Sequence, residues 1–227
     1  MHKYSIIIPT INEEEFLPRV LTNLQKFSEE IEIIISDGGS TDNTIKIAES
    51  LGAKVCNSKK GKGMQMNKAA QSSKGEVVIF LHADTFLPDD ALYLINKFFF
   101  TGKIDIATFK MKFDSENLVM KIYSWFTRFD SIFTTFGDQV IVVRRSYFNE
   151  VGGIPNLLIF EDVEFFRKIR KTKTICKLPS FVITSARRFT KKGILKTQLL
   201  NGIYIFGYLV GINPDKIYRK YFKDSSF

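Results

Sequence analysis

The chain has 227 residues and very little cysteine, since Cys56 and Cys176 are its only two. They form no CxxC pair, so the sequence indicates neither a disulfide framework nor a cysteine-rich zinc site. Each lies in an apolar stretch typical of a strand, where free cysteine behaves as a small hydrophobic residue. We therefore predict two reduced core cysteines in a cytoplasmic protein.

Long apolar segments are also missing. The longest candidate, residues 199–212, has 14 residues and contains Asn201 and three glycines. Crossing a bilayer takes about 20 apolar residues, so this segment does not predict a spanning helix. The first residues lead directly into a strand-like run and not into an apolar stretch of signal-peptide length. We expect neither a secretory signal nor a transmembrane segment.

The usual phosphate-binding motifs are absent. There is no GxxxxGK[ST] segment, and Gly61-Lys62-Gly63 is followed by Met66 where a GxGxxG motif would have its third glycine. No glycine occurs before Gly38, so the glycine-rich N-terminal loop of sugar-phosphate nucleotidyltransferases is missing too. These absences exclude the common P-loop and dinucleotide-binding modes.

The sequence does have an apolar, aromatic core and an excess of positive charge. Hydrophobic residues make up 44% of the chain, 22 residues are phenylalanine, and the formal net charge is +9. This charge suits nucleic acid, anionic lipid or a phosphorylated ligand. Because no nucleic-acid reader motif is evident, we do not expect a nucleic-acid partner. Trp125 and the phenylalanine-rich stretch 126–136 are predicted to be core packing and not a sugar-stacking platform.

Strands and helices alternate regularly in the first half of the chain. Four apolar runs predict strands, with a helix after each: 4–8, 31–36, 53–57 and 77–81. Short βα spacing of this kind is typical of a parallel sheet with right-handed crossovers. The prediction is an α/β fold with a mainly parallel central sheet flanked by helices.

The second half alternates less regularly. A half-exposed strand is predicted over 104–113, with a bulge near Thr108, and two short strands around Ile175 and Val182. Acids at the start and basic residues at the end favour a helix over 161–170. The other predicted elements are a helix over 118–129, a strand over 139–144 and C-terminal helices near 194–212 and 214–223.

The central feature is the strand over 77–81, which ends in His82 and Asp84. Ligands of open α/β sheets bind outside the carboxyl ends of the strands, and a carboxylate there suits Mg²⁺ or Mn²⁺ held against phosphates. The alternative is that Asp84 only caps the next helix. Because Glu14 and Asp37 follow the first two strands, we expect all three carboxylates at one edge of the sheet.

Five short segments carry more specific information: SIIIPTINEE (5–14), DGGSTD (37–42), HAD (82–84), GDQ (137–139) and ED (161–162). In this order they resemble the inverting glycosyltransferases of family 2, which have the GT-A fold, and the resemblance covers about residues 4–190. A narrower resemblance is carried by KGKGMQMN (60–67), LHADT (81–85) and SARR (185–188). These segments are similar to a bacterial subgroup named arsenosugar-biosynthesis glycosyltransferases.

The resemblance implies a site for a UDP-sugar and a divalent cation. Asp37 accepts a hydrogen bond from the uracil ring, and Gly38 leaves room for the flat base. The other implied contacts to base, ribose or phosphate are Pro9, Thr10, Glu14, Lys60 and Lys62. The implied ligands of Mn²⁺ or Mg²⁺ are Asp84 and His82. His82 replaces the first acid of the usual Asp-x-Asp motif, a departure that bears on metal affinity because hard cations prefer oxygen.

The resemblance also implies a general base. An inverting transfer needs a carboxylate that takes the proton of the acceptor hydroxyl, and we predict Asp162 in this role, with Glu161 beside it. The alternative is that both acids only stabilise a helix N-terminus. Four further residues are expected at the acceptor or the diphosphate: Asp138, Gln139, Arg187 and Arg188. The alternative is a plain turn for Asp138 and Gln139, and a solvated surface pair for the two arginines.

Together these expectations describe an enzyme and its organisation. We predict one catalytic domain over 1–190, with a nucleotide-binding half (1–100) and an acceptor half (101–190), and a helical tail over 191–227. The enzyme would move a sugar from a UDP-sugar to a small-molecule or lipid acceptor. Residues 187–223 hold nine Lys or Arg and one acid, so the tail either packs on the domain or lies on the inner face of a membrane. A catalytically weak nucleotide-sugar-binding or basic binding protein is the alternative.

Overall fold

A computed structural model describes residues 3–27 and 30–223. Within them, eight strands form one sheet: β1 (Tyr4–Thr10), β2 (Ile31–Asp37), β3 (Lys54–Asn57), β4 (Val77–Phe80), β5 (Thr85–Phe86), β6 (Ile106–Phe113), β7 (Ile141–Arg144) and β8 (Cys176–Thr184). Their order is β3-β2-β1-β4-β7-β6-β8-β5. The strands β3, β2, β1 and β4 are parallel, and β7 is antiparallel to β4. The predicted α/β class is confirmed.

Helices cover both faces of the sheet: α1 (Leu17–Leu24), α2 (Thr44–Ser50), α3 (Lys62–Ser72), α4 (Ala91–Ile95), α5 (Leu118–Phe126), α6 (Arg145–Glu150), α7 (Glu161–Ile169), α8 (Arg187–Lys192), α9 (Ile194–Leu209) and α10 (Pro214–Lys223). α4 continues as a π-helix over Asn96–Thr101. One core layer contains α1 and α4, and the other contains α3, α6 and α7.

β1 shows how the sheet divides this core. Ile6 and Ile8 face the layer of α1, whereas Ile7 faces the layer of α3, because successive side chains of a strand point to opposite faces. All three are fully buried. The register pairs Thr10, the last residue of β1, with Asp37, the last residue of β2. The polar residues that end these strands therefore share one edge of the sheet.

The second half of the sheet contains one confirmed and one wrong prediction. The pairing of β6 with β8 shifts just after Phe109, which confirms the predicted irregularity near Thr108. The prediction of two short strands around Ile175 and Val182 is wrong, since β8 is a single strand of nine residues. Both of its halves pair with β6 because the register step at 179–180 absorbs the interruption.

The prediction that Trp125 and the stretch 126–136 are core packing is wrong for most of its aromatic residues, although Phe136 packs against a buried cluster. Trp125 is 50% exposed, Phe129 52% and Phe133 60%. α5 buries Met120 and Ser124 on its other side. Only one side of a helix can face the sheet, so the side of α5 that carries Trp125 points outward.

The C-terminal helices pack on α7. Tyr208 of α9 stacks on Phe160 with ring centroids 4.9 Å apart, and its phenol donates a hydrogen bond to Glu164 Oε2 at 2.7 Å. Tyr204 and Ile217 join Phe160 in one buried cluster. These contacts correspond to the packing alternative for the tail. In the part of the chain that the structure describes, no helix is long and apolar enough to cross a membrane.

Candidate active site

Four carboxyl groups from separate segments surround the start of α3. Burial raises the pKa of each of them, and the positive charge of Lys62 acts in the opposite direction on all four: Glu13, Asp84, Asp138 and Glu161. Glu161 is buried and the other three are half-buried, and such a group of acids is suited to binding a cation or a proton. Lys62, one of the predicted phosphate contacts, therefore lies among the candidate catalytic and metal-binding residues.

Asp37 closes the turn after β2. Its Oδ1 accepts the backbone N–H groups of Gly39 and Ser40 at 2.9 and 2.8 Å, and its Oδ2 accepts the hydroxyls of Thr10, at 3.2 Å, and of Ser40. The residue is 2% exposed, so four protein donors occupy a carboxylate that has about four acceptor sites. Uracil recognition by Asp37 stays a prediction, and it requires one of these donors to move aside.

Gln65, which the sequence analysis missed, joins the ends of β1 and β2. Its Nε2 donates to the carbonyl oxygens of Thr10 at 2.9 Å and Ser36 at 2.7 Å. A Cβ added to Gly38 would lie 2.9 Å from the Ile11 side chain and 3.0 Å from that of Gln65, so this packing requires glycine. The available signal was its place in the KGKGMQMN segment, one helical turn after Lys62.

The two acids that follow β1 point to different places. Glu14 Oε2 accepts the backbone N–H and the side-chain amide of Asn43, at 3.0 and 2.9 Å, next to the start of α2. Glu13 instead pairs with Arg187 at 2.6 Å, and Arg187 Nε lies 3.5 Å from Asp84 Oδ2. The structure thus brings Arg187 to the site and adds Glu13, which the sequence analysis passed over for its neighbour in the same motif.

Asp84 and His82, the predicted metal ligands, follow β4 and are both half-buried. Burial and the charge of Lys62 hold the pKa of His82 well below its ordinary value, so its imidazole is neutral, as a metal ligand must be. Among the residues described, no group of three or more His, Cys, Asp or Glu side chains is arranged to hold a metal ion. The pair fits Mn²⁺ or Mg²⁺ only together with diphosphate oxygens, and this is how Mg²⁺ commonly binds in nucleotide sites.

The remaining predicted nucleotide residues have varied surroundings. Thr10 is buried, Pro9 is half-buried beside it, and Lys60 is exposed just before α3. Arg188 lies in the first turn of α8, and its side chain is outside the described part of the chain. The ligand contacts of all four stay predictions.

The segments 137–139 and 161–162 meet directly. Asp162 Oδ2 accepts the N–H of Gly137 at 2.7 Å, and its Oδ1 accepts the N–H of Val163 at 2.8 Å. A Cβ added to Gly137 would lie 3.3 Å from Asp162 Cβ and Oδ2, so glycine makes this approach possible. The backbone therefore fixes the orientation of the Asp162 carboxylate.

Asp138 and Glu161 flank Asp162. Asp138 Oδ1 is buried and has no hydrogen-bond partner among the described residues. Burial and the negative charge of Asp162 raise the pKa of Asp138 to about 6 and that of Glu161 to about 7. A group that exchanges a proton near neutral pH is suited to acid–base work.

The backbone on either side of these acids is strained. Val140 has φ 62° and Phe160 has φ 64°, values rarely adopted by β-branched or aromatic residues and often found at functional sites. Gln139 is fully buried, donates to the carbonyl of Thr134 and accepts from Lys177 Nζ. The side chain of Gln139 therefore holds the strained turn from inside the protein.

Comparisons with known proteins identify relatives of this chain. The family described as Glycosyl transferase family 2 matches residues 5–196. Poly(ribitol-phosphate) beta-N-acetylglucosaminyltransferase TarS of Staphylococcus aureus is 31% identical over 122 residues, which are 49% of this chain and 21% of that protein. This chain therefore matches only about a fifth of the length of that relative. An uncharacterized glycosyltransferase of Haemophilus influenzae is 26% identical over 216 residues, 89% of this chain and 85% of that protein.

Solved structures show the same fold. The crystal structure of S. aureus TarS 1-349 has a TM-score of 0.68 and 23% identity, and the match covers 88% of this chain and 66% of that one. Glucosyl-3-phosphoglycerate synthase from Mycobacterium tuberculosis, in complex with Mn²⁺, UDP and glucosyl-3-phosphoglycerate, has a TM-score of 0.66 and 17% identity over 93% of this chain and 81% of that one. The predicted GT-A fold is confirmed. The chain belongs to glycosyl transferase family 2.

Proposed function

We propose that this chain moves a sugar from a UDP-sugar to an acceptor hydroxyl, with inversion at the anomeric carbon and with the help of a divalent cation. The observation that carries the proposal is the contact of Arg187 with Asp84, at 3.5 Å, and with Glu13, at 2.6 Å, near the charge of Lys62, which also acts on Asp138 and Glu161. These groups can bind a cation with its diphosphate on one side and handle a proton on the other. Related folds have been solved with UDP-GlcNAc and with Mn²⁺ and UDP, which supports a UDP-linked donor here.

Asp162 is the proposed general base. Its carboxylate is oriented by the backbone N–H groups of Gly137 and Val163. The proton of the acceptor hydroxyl moves to Asp162 as the acceptor oxygen attacks the anomeric carbon from the face opposite UDP. The bond from that carbon to UDP breaks, and UDP leaves with the electron pair. Asp138 Oδ1, which is buried and has no hydrogen-bond partner among the residues that the structure describes, would accept a hydrogen bond from a bound substrate.

The donor is proposed to lie along the carboxyl ends of β1, β2 and β4. Asp84 and His82 would hold the cation, which when bound supplies positive charge next to the departing diphosphate. Lys62 and Arg187 add charge and hydrogen-bond donors for the same phosphates. Asp37 and Gly38 would receive the uracil. Further contacts to the UDP-sugar would come from Pro9, Thr10, Glu14, Lys60 and Arg188. Gln139 would contribute indirectly, because it holds the turn that carries Asp138.

The finer features of the enzyme are proposals as well. We assign catalysis to a domain over 1–190, and we propose that the tail over 191–227, whose α9 packs beside α7, also has an exposed side that would meet the inner face of a membrane in the cytoplasm. The acceptor would be a small molecule or a lipid. The narrower resemblance to arsenosugar-biosynthesis glycosyltransferases rests on the KGKGMQMN, LHADT and SARR segments.

A turnover assay tests the proposed function. The purified chain is incubated with Mn²⁺, a panel of UDP-sugars and a panel of acceptor alcohols, released UDP is measured, and the anomeric configuration of the glycoside formed is read by NMR. We expect UDP release that requires the cation and a product of inverted configuration. A retained configuration would contradict the mechanism, and UDP binding without release from any donor would favour the alternative of a nucleotide-sugar-binding protein.

A further inference from the structure

Two neighbouring helices each expose a row of apolar side chains. On α9 these recur every three or four positions and are 52% to 71% exposed: Leu195, Leu199, Ile203, Phe206 and Val210. On α5 and the turn after it they are 47% to 70% exposed: Leu118, Ile122, Trp125, Phe126, Phe129 and Phe133. Helical spacing puts each row on one side of its helix, and the two helices touch. We call these eleven residues the apolar face.

The fold itself does not use the apolar face. α9 buries Thr197, Tyr204 and Gly207, and α5 buries Met120 and Ser124, so both helices already pack through their other sides. Monomeric soluble proteins rarely expose large apolar patches, and those that exist usually mark interaction surfaces. We therefore expect the apolar face to be covered by a binding partner or a lipid surface.

The basic residues on and near these helices indicate what covers the apolar face. Arg128 follows α5, Lys196 lies on α9, and Lys216 and Lys220 lie on α10, all of them exposed. Over 187–223 Asp215 is the single acid against nine basic residues. Apolar and aromatic side chains combined with an excess of Lys and Arg are typical of helices that lie at the surface of an anionic membrane.

Tyr123 connects the apolar face with the acids of the site. A pocket of about 240 Å³ is lined by Tyr123, Phe126, Thr127, Phe133 and Thr134. The carbonyl of Thr134 in this pocket accepts a hydrogen bond from the side chain of Gln139, the residue after Asp138. Consistent with this geometry, burial and the charges of Asp138 and Asp162 raise the pKa of Tyr123 well above its ordinary value. One end of the apolar face therefore lies beside the proposed acceptor site.

We propose that the apolar face docks on an anionic lipid surface, with α5 and α9 at the boundary between headgroups and acyl chains. Docking in this orientation turns the region of Asp138 and Asp162 toward the membrane. A lipid-borne hydroxyl could then reach Asp162 and serve as the acceptor. That last step rests on the proposed function, whereas the docking does not depend on turnover.

The single tryptophan of the chain reports the docking directly, because Trp125 lies half-exposed in the apolar face. Vesicles of phosphatidylcholine mixed with phosphatidylglycerol should shift its emission to shorter wavelength, and brominated acyl chains should quench it. Phosphatidylcholine alone, or higher salt, should reduce both effects. The double variant Leu199→Glu with Phe206→Glu should lose the shift. The matched control Tyr93→Glu, at a site 65% exposed on α4, should keep it.

Other outcomes would overturn the proposal. Emission that anionic vesicles leave unchanged would exclude docking. A shift that grows with protein concentration without lipid, together with dimers in sedimentation, would assign the apolar face to a second copy of the chain. Circular dichroism and UDP calorimetry on the double variant should match wild type, because the substitutions lie outside the nucleotide site.

A turnover arm tests the lipid acceptor separately. Vesicles of phosphatidylcholine and phosphatidylglycerol that also contain diacylglycerol, a lipid with a free hydroxyl, should stimulate UDP release by wild type and not by the double variant. Equal release with and without these vesicles would exclude a lipid acceptor. Docking by a wild-type protein that fails to bind UDP would contradict the proposed function and leave the docking standing.

Discussion

Asp162 and Asp138 are neighbours with different hydrogen bonding, and this difference divides their roles. Both carboxylate oxygens of Asp162 accept backbone N–H groups. Asp138 Oδ1 is buried and accepts no hydrogen bond from the described residues. A buried acceptor without a donor lowers the stability of the folded protein by about 1–3 kcal/mol, and a bound ligand that donates a hydrogen bond would remove this cost. The Asp162 carboxylate has a fixed orientation, which suits a group that takes a proton from one direction. The Asp138 carboxylate has a free acceptor oxygen, which suits a group that binds a substrate hydroxyl.

Asp162→Asn tests the first of these roles. Turnover should fall roughly 100-fold or more, because an amide cannot accept the proton of the acceptor hydroxyl. UDP affinity should stay at the wild-type value, since Asp162 is proposed to act on the acceptor. Steady-state UDP release and calorimetry measure the two quantities, with Glu150→Gln, exposed at the end of α6, as the control. Normal turnover in Asp162→Asn combined with a loss in Asp138→Asn would make Asp138 the base.

Glu161 makes the stability of the protein depend on pH. Its folded pKa of about 7 lies above its ordinary value, so the folded protein holds a proton that the unfolded chain has already lost. Stability should therefore be highest below the ordinary pKa and fall as pH rises toward 7, by at most about 1.4 kcal/mol per pH unit. Glu161→Gln should flatten this dependence. Urea unfolding near pH 5 and near pH 7 measures the pH dependence of the free energy of unfolding. The same pH dependence in Glu161→Gln as in wild type would contradict a raised pKa of Glu161 in the folded protein.

Glu13 and Gln65 show why single residues escaped the sequence analysis. Asp84, Asp138 and Glu161 could be predicted because they lie in recognisable segments at strand or helix ends. The distinction between Glu13 and Glu14 depends on which of them points toward Arg187, a residue far along the chain. Gln65 matters only because the ends of β1 and β2 meet beneath it.

Among the elements, α3 ties the two sides of the site together. Asn67 exchanges two hydrogen bonds with the backbone of Ile154, donating at 2.7 Å and accepting at 2.9 Å. A Cβ added to Gly63 would lie 2.5 Å from the carbonyl oxygen of Pro155. The start of α3, which carries Lys62, is therefore packed directly against the segment that leads to α7.

Two glycine-to-alanine substitutions in helices test this contact. Gly63→Ala should destabilise the protein by about 1–3 kcal/mol, because the new methyl group forces α3 away from Pro155. Gly202→Ala on α9 meets nothing within 4 Å and should stabilise the helix by about 0.5–1 kcal/mol. Denaturant unfolding compares the two variants. Equal stability would show that α3 can shift freely.

Elements with a strong local pattern were predicted, and those that depend on partners were not. The buried runs of β1, β2 and β4 are apolar enough to identify strands without knowing their neighbours. β5 has only two residues and exists through its pairing with β8. The exposure of Trp125 follows from which side of α5 meets the sheet, and its aromatic composition alone indicated the opposite.

At the scale of the whole molecule, charge is unevenly distributed. The chain carries a net charge of +9, yet the pKa values of four acids that interact with Lys62, one of them buried and three half-buried, are raised by burial. Basic surroundings attract an anionic nucleotide over distance, and the acids inside suit the cation that would accompany it. The mainly parallel sheet and, through the family resemblance, the GT-A fold were predicted from the sequence, whereas the order of the strands and the packing of the tail on α7 required the structure.

Calorimetry of UDP with and without Mn²⁺ measures whether a cation at Asp84 contributes to nucleotide binding. For wild type, Mn²⁺ should tighten UDP binding, because Asp84 is proposed to hold the cation beside the diphosphate. In Asp84→Ala the affinity should be the same with and without Mn²⁺. The control Asp215→Ala, exposed on α10, should behave as wild type. UDP affinity that ignores Mn²⁺ in the wild-type protein, or tightening that survives in Asp84→Ala, would contradict the account.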